Sequence, residues 1–317
     1  MKKSAPGLRQ IEGFLSDHHR EPVTGLEPLS GGFWSSAHGY RVGGRSLVMR
    51  LGTVPEGFEM DRAAMAFGGP DVPVPRVLEV GEALGMSYAI SERHEGRFLE
   101  DVEPTEVDRS GPALMRLLRG LRRVEADIDA SSAWYSTQPH ASTTWRTWLT
   151  DGLIDDPARR VRGWRTTLAA DPELDRLFAA CERRIDGLLD ACPERRDLVH
   201  GDLLHRNVLV AEDASEVTAI FSWKCSVRGD FLFDVAWCTF WAGWHPGIEA
   251  IDVWRRVVES PADDDAMVDA AARHHCYELQ IGASHLGWNA WTGNDVELGR
   301  TAARTAEVLE RGPRQTR

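Results

Sequence analysis

Residues 199–230 read VHGDLLHRNVLVAEDASEVTAIFSWKCSVRGD, and the reading of the whole chain turns on them. Asp202 follows a short apolar run and Asn207, five residues on, opens the next. A loop of that kind can present a carboxylate to a substrate while turning an amide oxygen towards a metal ion. The plainer alternative is that His200 and Asp202 cap a turn, as aspartate often does, and the tripeptide alone does not choose between the two. Beyond Asn207, "VLV" and "VTAIF" are separated by the turn-prone "AEDASE", which predicts a small hairpin set in a helical region.

The chain has 317 residues, of which 42% are hydrophobic, enough to bury a substantial core in one large domain or two lobes. Its 49 acidic against 37 basic residues give a formal charge of -12. That balance argues against nucleic acid or anionic lipid as a main partner and favours a cationic ligand. "MKKSAPGLRQIEGF" has no apolar stretch behind its lysines, and no segment sustains the apolar length of a membrane span, so a cytoplasmic protein is expected. Cys181, Cys192, Cys225, Cys238 and Cys276 contain no C-x-x-C pair and are expected to be mostly buried thiols. "RHHC" at 273–276 could also hold a metal, although a helical His-His pair is more often packed than ligating.

The first ninety residues are rich in glycine and proline and hold short β-type runs, "SSAHGYRV", "RSLVMRLG", "RVLEVGEA" and "MSYAISER", interrupted by one helix at "FEMDRAAMAF". After residue 95 the period turns helical. Leu114, Leu117, Leu118, Leu121 and Val124 share one stripe, and Leu174, Leu177, Phe178, Cys181, Ile185, Leu188 and Leu189 share another, opened by Asp171-Pro172. "DFLFDVAWCTFWAGW" predicts an apolar helix, and three further helical stretches are expected to finish the chain.

The ordered motifs His200-Gly201-Asp202, Asn207, Trp223 and Gly229-Asp230 resemble the aminoglycoside phosphotransferase family, whose signature is H-G-D-x-x-x-x-N followed by a motif ending in Asp-Trp. "GGRSLVMRLG", "DVPVPRVLEVGEA" and "TTWRTWL" are similar to its hygromycin B phosphotransferase branch, and the resemblance runs from about residue 25 to 300. It implies an α+β, protein kinase-like two-lobed fold: a β-rich nucleotide-binding lobe over residues 1–92 and a helical catalytic and substrate-binding lobe over 93–317. It implies Asp202 as catalytic base with His200 beside it, and Asn207 as a magnesium ligand. "LSGGFWSSAHGYRV" becomes the loop over the phosphates of ATP or GTP, with Gly31 and Gly32 permitting close approach and Ser35 and Ser36 offering donors. Without the resemblance that loop is a plain glycine turn. Arg50 takes the place of the phosphate-binding lysine of kinases, with Asp61 as the favoured partner and Glu59 as the second. Ser91 to Arg93 become the hinge, whose backbone groups meet the purine.

One family position departs from the pattern. The residue before Trp223, an aspartate that binds Mg2+ in the family, is Ser222, flanked by Lys224 and Arg228. A hydroxyl is a weaker ligand for a hard cation than a carboxylate. Three explanations compete: transfer persists, with Asn207, Asp230 or Asp234 and the nucleotide holding the metal or Lys224 partly replacing it; the fold now only binds a ligand or runs another reaction; or the serine is an engineered change. Asp230 and Asp234 also read as residues that cap and orient the loop. The acceptor implied is a small, cationic, polyhydroxylated antibiotic, so that the activity serves resistance or self-protection. Trp145, Trp148, Trp241, Trp244, Trp288 and Trp291, with the acidic run 259–270, are candidates for stacking and ion pairing with it.

Overall fold

The computed structural model describes residues 6–29, 32–124, 144–260 and 267–315. In chain order the first elements are α1 (Leu8–His19), β1 (Thr24–Leu29), β2 (Ser35–Val42), β3 (Arg45–Gly52), α2 (Pro55–Ala64), β4 (Val77–Ala83), β5 (Met86–Glu92) and β6 (Arg97–Phe98). Then follow α3 (Val107–Arg122), α4 (Trp145–Asp151), α5 (Trp164–Ala169), α6 (Pro172–Asp186), β7 (Asp197–Val199), β8 (Val208–Val210), β9 (Val217–Ile220) and β10 (Val227–Gly229). The chain ends with α7 (Leu232–Trp241), α8 (Pro246–Ile251), α9 (Val253–Glu259), α10 (Ala270–Thr292) and α11 (Asp295–Arg311). These elements divide into two compact units, one formed by the residues up to Leu99 together with His205–Lys224, the other by Glu100–Leu204 together with Cys225 onward.

The first unit is built on an antiparallel sheet ordered β1-β2-β3-β5-β4. Alternation along β3 sends Leu47, Met49 and Leu51 to one face, where Tyr40, Tyr88 and Ile90 join them against Ile11 and Leu15 of α1. The opposite face takes Phe58 of α2 with Val77 and Ala89. α1 has no counterpart among the sequence expectations, although Leu8, Ile11 and Leu15 carry its spacing; Gly7 at its cap and Gly13 inside it weaken the helical signal. α2 begins three residues before the expected helix because Pro55, whose missing N–H costs nothing at a helix start, occupies its first turn. The expected hairpin is β8–β9, and its partner is β6, so it belongs to the strand-rich unit rather than to a helical setting.

The second unit is helical, with β7 and β10 forming its two-stranded sheet. α7 is buried along its whole length, which is why its sequence is apolar all round. It packs against α10, the central helix, which also meets α5, α6 and α11. Asp171 caps α6 by accepting from the backbone N–H groups of Glu173 and Leu174, as its position before Pro172 predicts. However, α6 stops at Asp186 before Gly187, and α3 stops at Arg122, so Leu188, Leu189 and Val124 lie beyond the helices whose stripes they are expected to continue. Among the described residues after α7 there are four α-helices rather than three, because the left-handed Asp252 separates α8 from α9. Among the described residues no helix is long and apolar enough to cross a membrane.

Candidate functional site

In the first unit, β3 and α2 bring Arg50 and Asp61 together as an ion pair. Asp61 is buried, and its second oxygen accepts the backbone N–H of Trp223 at 2.7 Å. One carboxylate thus joins the sheet, the helix and the segment after β9. Glu59, the second candidate, instead pairs with Arg62 one turn along the exposed face of α2.

Arg50 and Asp61 stand in the wall of a cavity of about 220 Å³, whose apolar lining includes Val48, Val77, Leu209, Ile220 and Trp223. Ser91 and Arg93 line it as well. The N–H groups of Glu92 and Arg93 already donate to the carbonyls of Arg76 and Ser46, and the Arg93 guanidinium reaches Glu27. The backbone that continues past these commitments is His94–Gly96, which also borders the cavity. It is clamped onto β9: the His94 Nδ1–H donates to the Thr218 carbonyl at 2.8 Å, and the Thr218 hydroxyl donates to the Glu95 carbonyl at 2.9 Å. Gly96 has φ 138°, and a Cβ there would lie 2.4 Å from the Val210 carbonyl oxygen, so glycine is required for this approach. Neither His94 nor Thr218 carries a motif signal in sequence; only their contact across some 120 residues reveals them.

Ser35 and Ser36 open β2 and face Gly52 and Leu51 of β3 in register. Gly32 is exposed with open space around it, and Gly31 lies outside the described residues. Asn207 is buried, and its carbonyl accepts the N–H of Phe221 at 3.0 Å, placing it beside Ser222 in the hairpin. Ser222 has φ 70°, in the left-handed region that serine seldom adopts. Lys224 lies with its ammonium 5.7 Å from the Trp34 ring centroid.

In the second unit, His200, Gly201 and Asp202 follow directly on β7 and are all buried. Gly201, at φ 72°, makes the turn, and the Asp202 N–H donates to His200 Nδ1 at 3.2 Å. Asp234, in the first turn of α7, accepts the N–H groups of His200 and Gly201, each at 2.8 Å. Burial, opposed by these two hydrogen bonds and assisted by the charge of Asp202, pushes the Asp234 carboxyl up to about 7. Asp230 is saturated differently: Arg273 reaches both its oxygens at 2.7 Å, and the Tyr277 hydroxyl and the Leu232 N–H complete the set. Both aspartates are therefore occupied in fixing the loop and the start of α7. Arg228 donates to the carbonyls of Val124 and Arg196, a structural role.

The remaining donors do not suit a carboxylate-held magnesium ion. At the family position the protein offers the Asn207 amide and the Ser222 hydroxyl, both neutral, while Asp61 is engaged by Arg50 and Trp223. A hard divalent ion prefers anionic oxygens. Among the described residues no group of three or more histidine, cysteine, aspartate or glutamate side chains could hold a metal. The "RHHC" motif lies in α10 with both rings buried; His274 Nε2 meets the Thr239 hydroxyl at 2.9 Å, and its other nitrogen faces Glu278. Of the tryptophans, Trp145 and Trp241 are buried, and Trp148 stacks on Trp145 at 4.8 Å. Trp244, Trp288 and Trp291 are partly exposed, and residues 261–266 of the acidic run lie outside the described residues.

The phosphotransferase enzyme family model matches residues 26–267. The hygromycin-B 4-O-kinase of Escherichia coli is 29% identical over 322 residues, covering 98% of this chain and 88% of that protein. The structure of aminoglycoside phosphotransferase APH(4)-Ia superposes with a TM-score of 0.81 at 26% identity, covering 96% of this chain and 99% of that one. A thermostable mutant of the same enzyme, in ternary complex with AMP-PNP and hygromycin B, gives 0.79 at 27% identity over 95% and 98%. With a strand-rich unit, a helical unit and the ordered motifs between residues 199 and 230 all in place, the chain belongs to the phosphotransferase enzyme family and has its kinase-like α+β fold.

Proposed function

We propose that this protein is an ATP-dependent O-phosphotransferase that modifies a hydroxyl of an aminoglycoside-like antibiotic, with hygromycin B as the first acceptor to try. The observation that carries the reading is the Arg50–Asp61 pair in the wall of a cavity bordered by the hinge segment, an arrangement suited to a nucleoside with phosphates attached. On this reading the strand-rich unit holds the nucleotide. Its base lies along His94–Gly96, its phosphates lie under the segment that begins β2, and Arg50 supplies one cation. The helical unit supplies Asp202 and the acceptor pocket, and the surplus of acidic residues favours a cationic, polyhydroxylated acceptor.

Asp202 accepts the proton of the acceptor's attacking hydroxyl while that hydroxyl oxygen forms a bond to the γ-phosphorus. The bond from that phosphorus to the bridging oxygen breaks, and the nucleoside diphosphate departs with the electron pair. Asp234 and Gly201 set where Asp202 stands, because a buried carboxylate that receives two backbone donors fixes the turn without touching substrate. Phosphate on a cationic antibiotic adds negative charge and bulk, which suits a resistance or self-protection role.

The test is incubation of the protein with ATP or GTP and a panel of aminoglycosides, read by mass spectrometry. One acceptor gaining a single phosphoryl group supports the proposal. Nucleotide binding without any transferred phosphoryl group, across a panel that includes hygromycin B, contradicts it and leaves a nucleotide-binding protein on a kinase-like fold.

A further inference from the structure

We infer that Lys224 binds the nucleotide phosphates in place of a metal ion held by the protein. The inference rests on the nucleotide reading above. At the family position, an aspartate with a divalent ion contributes one net positive charge. Here Ser222 contributes none and Lys224, two residues on, contributes one, so the local charge offered to a polyphosphate is the same.

The surrounding geometry keeps this segment in place despite the substitution. Ser222 adopts the left-handed backbone at φ 70°, and the next N–H, that of Trp223, is held by Asp61 at 2.7 Å. Asp61 in turn holds Arg50, so Lys224 follows directly on a segment anchored to the other phosphate cation. Its stem packs at the start of α2, where a Cβ on Gly57 would lie 3.7 Å from the Lys224 Cβ, and its ammonium sits 5.7 Å from the Trp34 ring centroid. Trp34 immediately precedes Ser35 and Ser36, in the segment assigned to the phosphates. That position puts the ammonium beside the segment assigned to the phosphates, where a lysine serves as a point charge for phosphate oxygens. The donor set around Asn207 and Ser222 is neutral, so magnesium arrives and leaves with the nucleotide rather than being gripped by a carboxylate.

The experiment is calorimetric titration of ATP and of adenosine, each with magnesium and with EDTA, into the unmodified protein, Lys224→Met, and the double variant Ser222→Asp/Lys224→Met. For the unmodified protein, ATP affinity is expected to change by less than about three-fold between magnesium and EDTA. Lys224→Met should weaken ATP by about ten-fold or more and adenosine by less than about two-fold, since adenosine has no phosphate. The double variant should recover ATP binding in magnesium and lose it again in EDTA. Intact ATP binding in Lys224→Met, equal losses of ATP and adenosine, or a dependence on magnesium of ten-fold or more in the unmodified protein (about 1.4 kcal/mol) would each overturn the inference while leaving the nucleotide reading standing. Failure of every protein, the unmodified one included, to bind either ligand would overturn both.

Discussion

Removing the Asp61 carboxylate should damage the first unit twice over. Asp61→Ala strips the counter-charge from Arg50, whose side chain is 16% exposed, and leaves the buried Trp223 N–H without its acceptor. Breaking a buried ion pair costs roughly 3–5 kcal/mol, and an orphaned buried donor roughly 1–3 kcal/mol. Because the Arg50 guanidinium retains some access to water, the combined loss should fall near the lower end of the sum, about 4 kcal/mol. Asp61→Asn keeps an oxygen for Trp223 and loses only the charge facing Arg50, so the ion-pair share alone, about 3 kcal/mol, is expected. Urea unfolding followed by tryptophan fluorescence, with amide exchange at Trp223 as the local reporter, separates the two variants. Alanine should open Trp223 to fast exchange and asparagine should leave it protected. Two variants that unfold together, within about 1 kcal/mol of the unmodified protein, would refute the reasoning.

Three further outcomes follow from the second unit. Gly201→Ala forces a Cβ to 2.9 Å from the Cys225 carbonyl oxygen at a φ of 72°, so kcat should fall about a hundred-fold through displacement of Asp202 while ATP affinity holds. Steady-state kinetics and calorimetry check this, and an unchanged kcat contradicts it. Arg273→Met removes the buried guanidinium from the fully buried Asp230, leaving it the Tyr277 hydroxyl, the Leu232 N–H and Arg195 at 4.0 Å, and should cost roughly 3 kcal/mol in urea unfolding; a loss under about 1 kcal/mol would contradict the assignment of Asp230 to a structural role. Burial holds the His274 and His275 rings at about 4, below the usual histidine value, so they stay neutral when folded and gain protons when unfolded. Their contribution is fully present above about pH 6.5 and is lost as pH falls through about 4, on the order of 3 kcal/mol per ring at most. Both nitrogens of His275 lack a hydrogen bond among the described residues, so His275→Leu should flatten the acid limb of a stability–pH curve; an unchanged limb would show that its burial is not the cause.

The extents of β2 and β3 were legible to the residue, because two short β-type runs meet at the Gly43-Gly44 turn. The Arg50–Asp61 pair was legible through motif order, and the geometry agrees. What stayed hidden depends on contacts distant in sequence. The return of β8 and β9 to β6 follows from ladder hydrogen bonds that no local pattern encodes. The clamp of His94 and Thr218 joins two segments with no motif in either. Asp230 and Asp234 looked alike beside an apolar helix, and only their partners, Arg273 and Tyr277 for one and two backbone N–H groups for the other, separate them. Arg228 looked like a second cation beside Ser222 until its carbonyl partners placed it in the packing of the helical unit.

The central claim, that Asp202 is the base of a phosphoryl transfer, is tested most directly by Asp202→Asn, which preserves shape and removes the proton acceptor. Transfer of labelled γ-phosphate to the aminoglycoside found to be the acceptor should fall at least a hundred-fold, with ATP affinity within about three-fold of the unmodified protein. Transfer that survives nearly intact would contradict the account and return Asp202 to the role of a turn cap.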